Sequence, residues 1–315
     1  MDGAFVELRH VCASYKEPSG IGALFGKAAP PTLALSDVSF SLSSGSQVVI
    51  FGHGASGKST LMKLLSGALV PDSGTIIING KRPELTSAHA AGYVSLEHEE
   101  TKHETSYEIL HGYGVAHRIK NLPARIGEIA QVIGIENILH RNASMLSSSE
   151  QLRIQLAKAA LSEAPVLLFD GVADIIGADK MKELLLGVFH GRTVCVTTSN
   201  VQVAEAMDIP ILLLHKTAVA HIGTKNDLAH ATGVERIVDA WVEGMRYDLL
   251  RKLRSHPGVL EVRLMPTDQF DGTRVRVTIR NSRYLPALYD ALSQAPLVNI
   301  QELPVAFEDI LSSLS

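Results

Sequence analysis

Val48-Val49-Ile50-Phe51-Gly52-His53-Gly54-Ala55-Ser56-Gly57-Lys58-Ser59-Thr60 is the stretch that decides the fold. An apolar, β-branched run suited to a buried strand feeds a segment of the form G-x-x-x-x-G-K-[ST]. Thr60 to Gly67 then carries apolar residues at helical spacing. Strand, glycine-rich turn and helix together are the context in which this motif has a mechanism. The turn formed by Gly52, His53, Gly54, Ala55, Ser56 and Gly57 lets backbone N–H groups converge on phosphate oxygens, and the helix N-terminus adds partial positive charge. Lys58 is then placed to reach outer phosphates, Ser59 to offer its hydroxyl to magnesium, and Thr60 to add a hydroxyl near the inner phosphate. The bland alternative is a glycine-rich turn that happens to precede a lysine.

Outward from this stretch, Thr75 to Ile78, Val166 to Phe169, Thr193 to Val196 and Ile211 to Leu214 also read as strands. The last three are nearly continuous apolar runs, which suits strands covered on both faces of a parallel sheet. Gln151 to Ala160 and Met181 to Val188 have helical spacing, so the pattern from Phe5 to about Thr224 is α/β. Pro18 to Pro31 reads as a loop. Asp170 ends one of the buried strands, where a carboxylate needs a partner. Holding the magnesium that Ser59 coordinates would supply one, and capping the next segment would be the structural use.

Beyond about Lys225 the texture changes. Tyr247 to Ser255, Leu285 to Leu292 and Phe307 to Leu314 look helical, and Val259 to Leu264, Arg274 to Ile279 and Val298 to Leu303 look extended, with a turn at Asp271-Gly272. A chain of 315 residues is long enough for about two domains, and the expected division is 1–225 and 226–315. Apolar residues make up 46% and charged residues 20%, which excludes a disordered or fibrous chain. A formal net charge of −4 gives no strong field toward nucleic acid or anionic lipid. Cys12 and Cys195 are the only cysteines, too few for a disulfide framework, which favours a reducing compartment. Met1 to His10 shows no signal-peptide pattern, and the longest apolar runs fall far short of the ~20 residues that span a bilayer.

The order Tyr15, phosphate loop, Gly92-Tyr93-Val94-Ser95-Leu96-Glu97, Leu146-Ser147-Ser148-Ser149-Glu150-Gln151-Leu152-Arg153 and Asp170 resembles the nucleotide-binding subunit of an ABC transporter. The resemblance covers about Phe5 to Thr224. The remainder is similar to the small C-terminal domain of drug-, polysaccharide- and lipid-exporter ATPases, including its ending Phe307-Glu308-Asp309-Ile310-Leu311. It implies a P-loop NTPase of the ABC type with a helical subdomain, followed by a small α+β, ferredoxin-like domain. It also implies ATP and magnesium as ligands, Tyr15 as the adenine stacker, and Leu146 to Glu150 as the signature facing a partner's phosphate loop. A membrane permease and a second ATPase subunit are the implied partners, at the inner face of the cell membrane.

The chain departs from that family at the hydrolytic positions. Gly171 follows Asp170 where the family has a water-polarising glutamate, and Ser199 stands where a histidine contacts the γ-phosphate. Leu96 replaces a glutamine, and Ser148 and Ser149 replace signature glycines. An aspartate expected near Gly177 is absent, with Asp179 two positions late. The implied molecule binds ATP, hydrolyses it poorly at its own site, and pairs with a hydrolysing subunit, with Asp174 or Asp179 as the escape route for a substitute base. The competing readings are a soluble regulatory or assembly ATPase without a permease, and a P-loop kinase or GTPase. Of the lesser signals, His98 to His103 has one residue too many for a helical zinc pair, and Thr224-Lys225-Asn226-Asp227 has the wrong order for guanine recognition.

Overall fold

The structure is a computed structural model and describes residues 6–15, 32–83, 91–95, 104–266, 270 and 272–313. The Pro18–Pro31 loop, Leu96, the His98–His103 stretch, Asp271 and Leu314 lie outside the described residues. The chain divides into two compact units, 1–222 and 223–315.

In the first unit, β1 (Val6–Tyr15) pairs antiparallel with both β2 (Thr32–Leu42) and β4 (Ser73–Ile78). Ile76 and Ile78 of β4 are buried while Ile77 is half-buried, the alternation expected of a sheet with one covered face. A second, six-stranded sheet runs in the order β5 (Ala91–Val94), β6 (Val166–Asp170), β7 (Thr193–Thr198), β3 (Gln47–Phe51), β8 (Ile211–His215), β9 (Ala218–Gly223). From β5 to β8 the neighbours are parallel. Val166 to Phe169 and Val194 to Val196 are completely buried, which is why these strands read as unbroken apolar runs. One continuous core joins the antiparallel sheet, helix α1 (Lys58–Leu65) and one face of the parallel sheet through Leu8, Val38, Ile50, Leu61, Leu65 and Leu168.

Between β5 and β6 the chain forms α2 (Ser106–Ala116), α3 (Leu122–Ile133) and α4 (Ser148–Leu161), which pack on one another as a helical subdomain. After β6 come the short α5 (Ala173–Ile176) and α6 (Ala178–Leu186), and α7 (Val201–Ala206) follows β7.

The second unit opens with α8 (Lys225–Thr232), then runs β10 (Arg236–Val242), α9 (Tyr247–Arg254), β11 (Val259–Met265), β12 (Thr273–Ile279), α10 (Leu285–Ser293), β13 (Leu297–Leu303) and α11 (Phe307–Ser312). The βαββαβ order with sheet order β11-β12-β10-β13, all antiparallel, is the ferredoxin-like split βαβ arrangement. Thr224 to Asp227, the segment superficially like a guanine-reading motif, is a capping box that starts α8. Strand β10 has no counterpart among the sequence-predicted elements. At its centre Asp239 is completely buried and accepts hydrogen bonds from Arg274 Nε at 2.9 Å and Arg276 Nε at 2.8 Å.

Candidate functional site

The loop Gly52–Gly57 leaves the C-terminal end of β3 and enters α1. Two of its residues take left-handed backbone angles, Ala55 at φ 60° and Gly57 at φ 94°. Gly57 is required twice over, since a Cβ there would also lie 2.6 Å from Leu35 Cδ2. At Gly52 a Cβ would stand 2.8 Å from the Leu214 carbonyl oxygen. His53, Gly54 and Ala55 are exposed, and nothing stands within 4 Å of a Cβ built on Gly54, so the rim of the loop is open.

Lys58 Nζ donates to the carbonyls of Gly52 at 2.6 Å and His53 at 2.9 Å, and lies 3.4 Å from Ser56 Oγ. Burial pushes its ammonium below the ordinary lysine value, while the charges of Asp170 and Asp174 pull it back up. Ser59 is exposed in the first turn of α1, and Thr60 is buried with its hydroxyl 3.0 Å from the Tyr15 hydroxyl. That bond ties the end of β1 to the loop. Tyr15 keeps 42% of its surface exposed, as a side chain available for stacking requires.

The parallel register carries the carboxylates to the same edge. Thr197 lies opposite both Ile50 and Asp170, and Thr198 lies opposite Phe51, the residue that leads into the loop. Thr197 Oγ1 donates to Asp170 Oδ1 at 2.6 Å and accepts from the Gly171 N–H at 2.9 Å. Tyr93 Oη donates to Asp170 Oδ2 at 3.2 Å. One residue on, Thr198 Oγ1 donates to Asp174 Oδ1. Ser199 sits exposed just past the end of β7, and Asn200 caps α7. Asp179 is exposed on α6.

The signature stretch is elsewhere. Ser147 caps α4, and Glu150 closes a capping box on it, with Oε2 accepting from Ser147 N at 2.8 Å and Oγ at 2.9 Å. These bonds hold the Glu150 carboxyl below the usual range. Arg141 NH1 adds an ion pair at 2.7 Å. Ser147 and Ser148 are exposed, Ser149 is half-buried and Leu146 is buried. Among the described residues, none of these five makes a hydrogen bond to the Gly52–Thr60 loop of the same chain.

Phosphate loop, Tyr15, Asp170 and Ser199 thus share one edge or its border, while Leu146–Glu150 opens a separate helix. Sequence reasoning passed over Thr197, Thr198 and Tyr93, because only the strand register brings them to the aspartates. It also passed over the S-x-x-E capping pattern inside the signature, a signal that was present.

The residues fit a magnesium nucleotide. A half-buried ammonium is held on three loop oxygens, a helix N-terminus is open to solvent, and an oriented carboxylate faces the same lysine. The sequence profile of the ABC transporter family matches residues 35–173. The sulfate/thiosulfate import ATP-binding protein CysA of Mycobacterium tuberculosis is 31% identical over 213 residues, covering 63% of this chain. The chain spans 59% of that relative's length. Among solved structures, an ATP-binding subunit of an ABC transporter superposes with a TM-score of 0.59 at 21% identity, covering 73% of this chain and 93% of that one. A dimeric bacterial ABC transporter cassette gives 0.56 at 21% identity, covering 70% and 98%. The loop, its register with the aspartates and the matched profile agree on one fold: residues 35–173 match the ABC transporter family, and the chain takes the ABC-type P-loop NTPase fold.

Proposed function

We propose that this chain is the ATP-binding subunit of an ABC-type membrane transporter, binding Mg-ATP at its own loop but turning it over poorly there. The observation that carries this is the contrast at one sheet edge: a complete phosphate cradle at Gly52–Thr60 beside Gly171, which has no side chain to polarise water. In this reading Gly52 to Gly57 direct N–H groups at the phosphates. Lys58 transfers hydrogen bonds from loop carbonyls to the outer phosphate oxygens, and Tyr15 stacks on the adenine. Ser59 and Asp170 would hold magnesium, whose charge screens the phosphates and orients them. With Gly171 and Ser199 in place of a carboxylate and an imidazole, the chain lacks two groups that act on water and on developing phosphate charge.

Such a subunit works by closing on a partner. Nucleotide bound between two subunits stabilises the closed pair by its differential affinity for that state. We assign Leu146 to Glu150, at the α4 N-terminus, to the phosphate loop of a second, hydrolysing ATPase, making a heterodimer. In this reading a permease anchors the pair at the inner face of the membrane; no helix among the described residues is long and apolar enough to cross one. The unit from 226 onward serves as an accessory or dimerisation domain. Its resemblance to exporter appendices supports export; the relatives named import ATP-binding proteins favour uptake as the second reading.

The test is a calorimetric titration with Mg-ATP, in which Lys58→Ala abolishes binding, together with an ATPase assay of the purified chain that reads near background. Unchanged affinity in Lys58→Ala, or robust turnover by the isolated chain, would overturn the proposal. Purification of the native complex should recover a permease and a second ATPase, and Ser147→Arg should abolish the activity of the complex while ATP binding to this chain survives. Transport into or out of inverted vesicles separates export from uptake.

A further inference from the structure

Gly171 lies at φ 69°, in the left-handed region, and its N–H is held by Thr197 Oγ1. The chain therefore turns sharply after Asp170 and enters α5 with Asp174 in its first turn. The carboxylate of Asp174 accepts the Thr198 hydroxyl, a donor that is itself completely buried. Thr198 also accepts the Asn200 N–H at 2.9 Å, so this hydroxyl is oriented before it reaches the carboxylate. Adjacent hydroxyls of one dipeptide thus hold two aspartates, Thr197 on Asp170 and Thr198 on Asp174. In the parallel register they lie beside Ile50 and Phe51, directly before the phosphate loop. Asp174 remains exposed, open to water at the edge where the loop opens.

We propose that Asp174, positioned by Thr198, is the carboxylate that activates water for the slow hydrolysis remaining at this site. The inference rests on the reading of Gly52–Thr60 as a Mg-ATP site. In the step, Asp174 accepts a proton from water as the water oxygen bonds to the γ-phosphorus. The bond from that phosphorus to the β,γ-bridging oxygen breaks and its electron pair leaves with ADP. The proton then passes from Asp174 to the released phosphate. Thr198 is a positioning residue: its donated hydrogen bond fixes one carboxylate oxygen and leaves the other for water. The charges of Asp174 and Asp170 both act on Lys58, so both carboxylates lie within electrostatic reach of that ammonium. An aspartate is one methylene shorter than glutamate and here approaches from three residues further along the chain, which accounts for turnover that is slow.

The experiment is single-turnover hydrolysis with the full chain in excess over Mg-ATP, alongside calorimetric affinity and melting temperature. Removing a general base costs about 10²–10⁴-fold. Asp174→Asn should therefore lower the residual rate at least tenfold, while the dissociation constant stays within about twofold and the fold remains intact. Thr198→Val should lower the rate less, with affinity again unchanged. Formate should restore part of the rate in Asp174→Ala but not in the wild type, a rescue that a merely structural role would not produce. An unchanged rate in Asp174→Asn, absence of formate rescue, or a wild-type rate no faster than free ATP would overturn the proposal. Failure of the wild type to bind Mg-ATP would overturn the underlying reading of the loop instead.

Discussion

Asp239→Ala should unfold the C-terminal unit long before the rest of the chain. Asp239 is 0% exposed in the middle of β10 and takes Arg274 Nε and Nη2 at 2.9 and 2.6 Å, and Arg276 Nε and Nη2 at 2.8 and 3.0 Å. Arg276 and Arg263 both turn toward Asp309, at 3.5 and 2.7 Å, which fastens α11 beneath the sheet. Truncating Asp239 leaves two guanidinium groups, each about 15% exposed, without their shared anion. Breaking a buried pair in this way costs about 3–5 kcal/mol, a large part of the 5–15 kcal/mol that holds a typical domain together. With a urea slope of about 1–3 kcal/mol/M, the midpoint should fall by at least about 1 M. Trp241 is the only tryptophan of the chain, with the Arg274 guanidinium 5.2 Å from its ring centroid, so its fluorescence follows this unit selectively. Burial raises the Asp239 carboxyl, but the hydrogen bonds and charges of Arg276 and Arg274 outweigh it and hold it below the ordinary range. Because the folded value is depressed, this stabilisation is present above an unfolded pKa of about 3.9 and is lost as pH falls through the folded value. Asp239→Asn should accordingly flatten the acid limb of the stability curve. A midpoint shift below about 0.3 M would show that the pairs contribute no more than a surface salt bridge, and would refute the reasoning.

Three other outcomes are expected. Gly57→Ala forces a side chain into φ 94° and within 2.6 Å of Leu35, so Mg-ATP affinity should drop at least tenfold, checked by titration with the folded state verified by circular dichroism. Cys195, whose thiol burial pushes up to about 12, should resist alkylation at pH 8 until the chain unfolds, as mass spectrometry after brief iodoacetamide treatment would show. Ser147→Ala removes the α4 cap at a cost of about 1 kcal/mol, which should appear as faster amide exchange over residues 148–152; unchanged protection would count against the capping box.

The parts legible in the sequence were those governed by local chemistry. The phosphate loop announces itself because a left-handed turn needs glycine at Gly57, and β6, β7 and β8 announce themselves because strands buried on both faces must be apolar throughout. The second unit was legible through short β-branched runs mixed with polar residues and through helices with apolar spacing, except at β10, where a charged residue interrupts the run and its partners lie 35 and 37 residues away. Helix α2 was hidden by His111, Gly112 and Gly114, although Thr105 and Glu108 form a capping box that marks its start. The pairing of Thr198 with Asp174 depends on strand register and on the turn at Gly171, so no local pattern encodes it.

That turn bears on whether position 171 could carry a glutamate. A side chain at position 171 would have to adopt φ 69°, which costs a non-glycine residue about 1–2 kcal/mol. Relaxing the angle would move the Gly171 N–H from Thr197 Oγ1, the same oxygen that donates to Asp170. A glutamate installed at 171 therefore competes with the orientation of the carboxylate assigned to magnesium. Asp174 carries no such conflict: its bond runs to Thr198, one residue further along β7, and leaves the Thr197–Asp170 pair undisturbed. In the proposed reading the backbone separates two tasks that the family resemblance gives to adjacent side chains, with metal holding assigned to Asp170 and water activation to Asp174. If Asp174 serves as the base, its approach from α5 rather than from the end of β6 predicts slow turnover, which the single-turnover rate of the wild type measures directly.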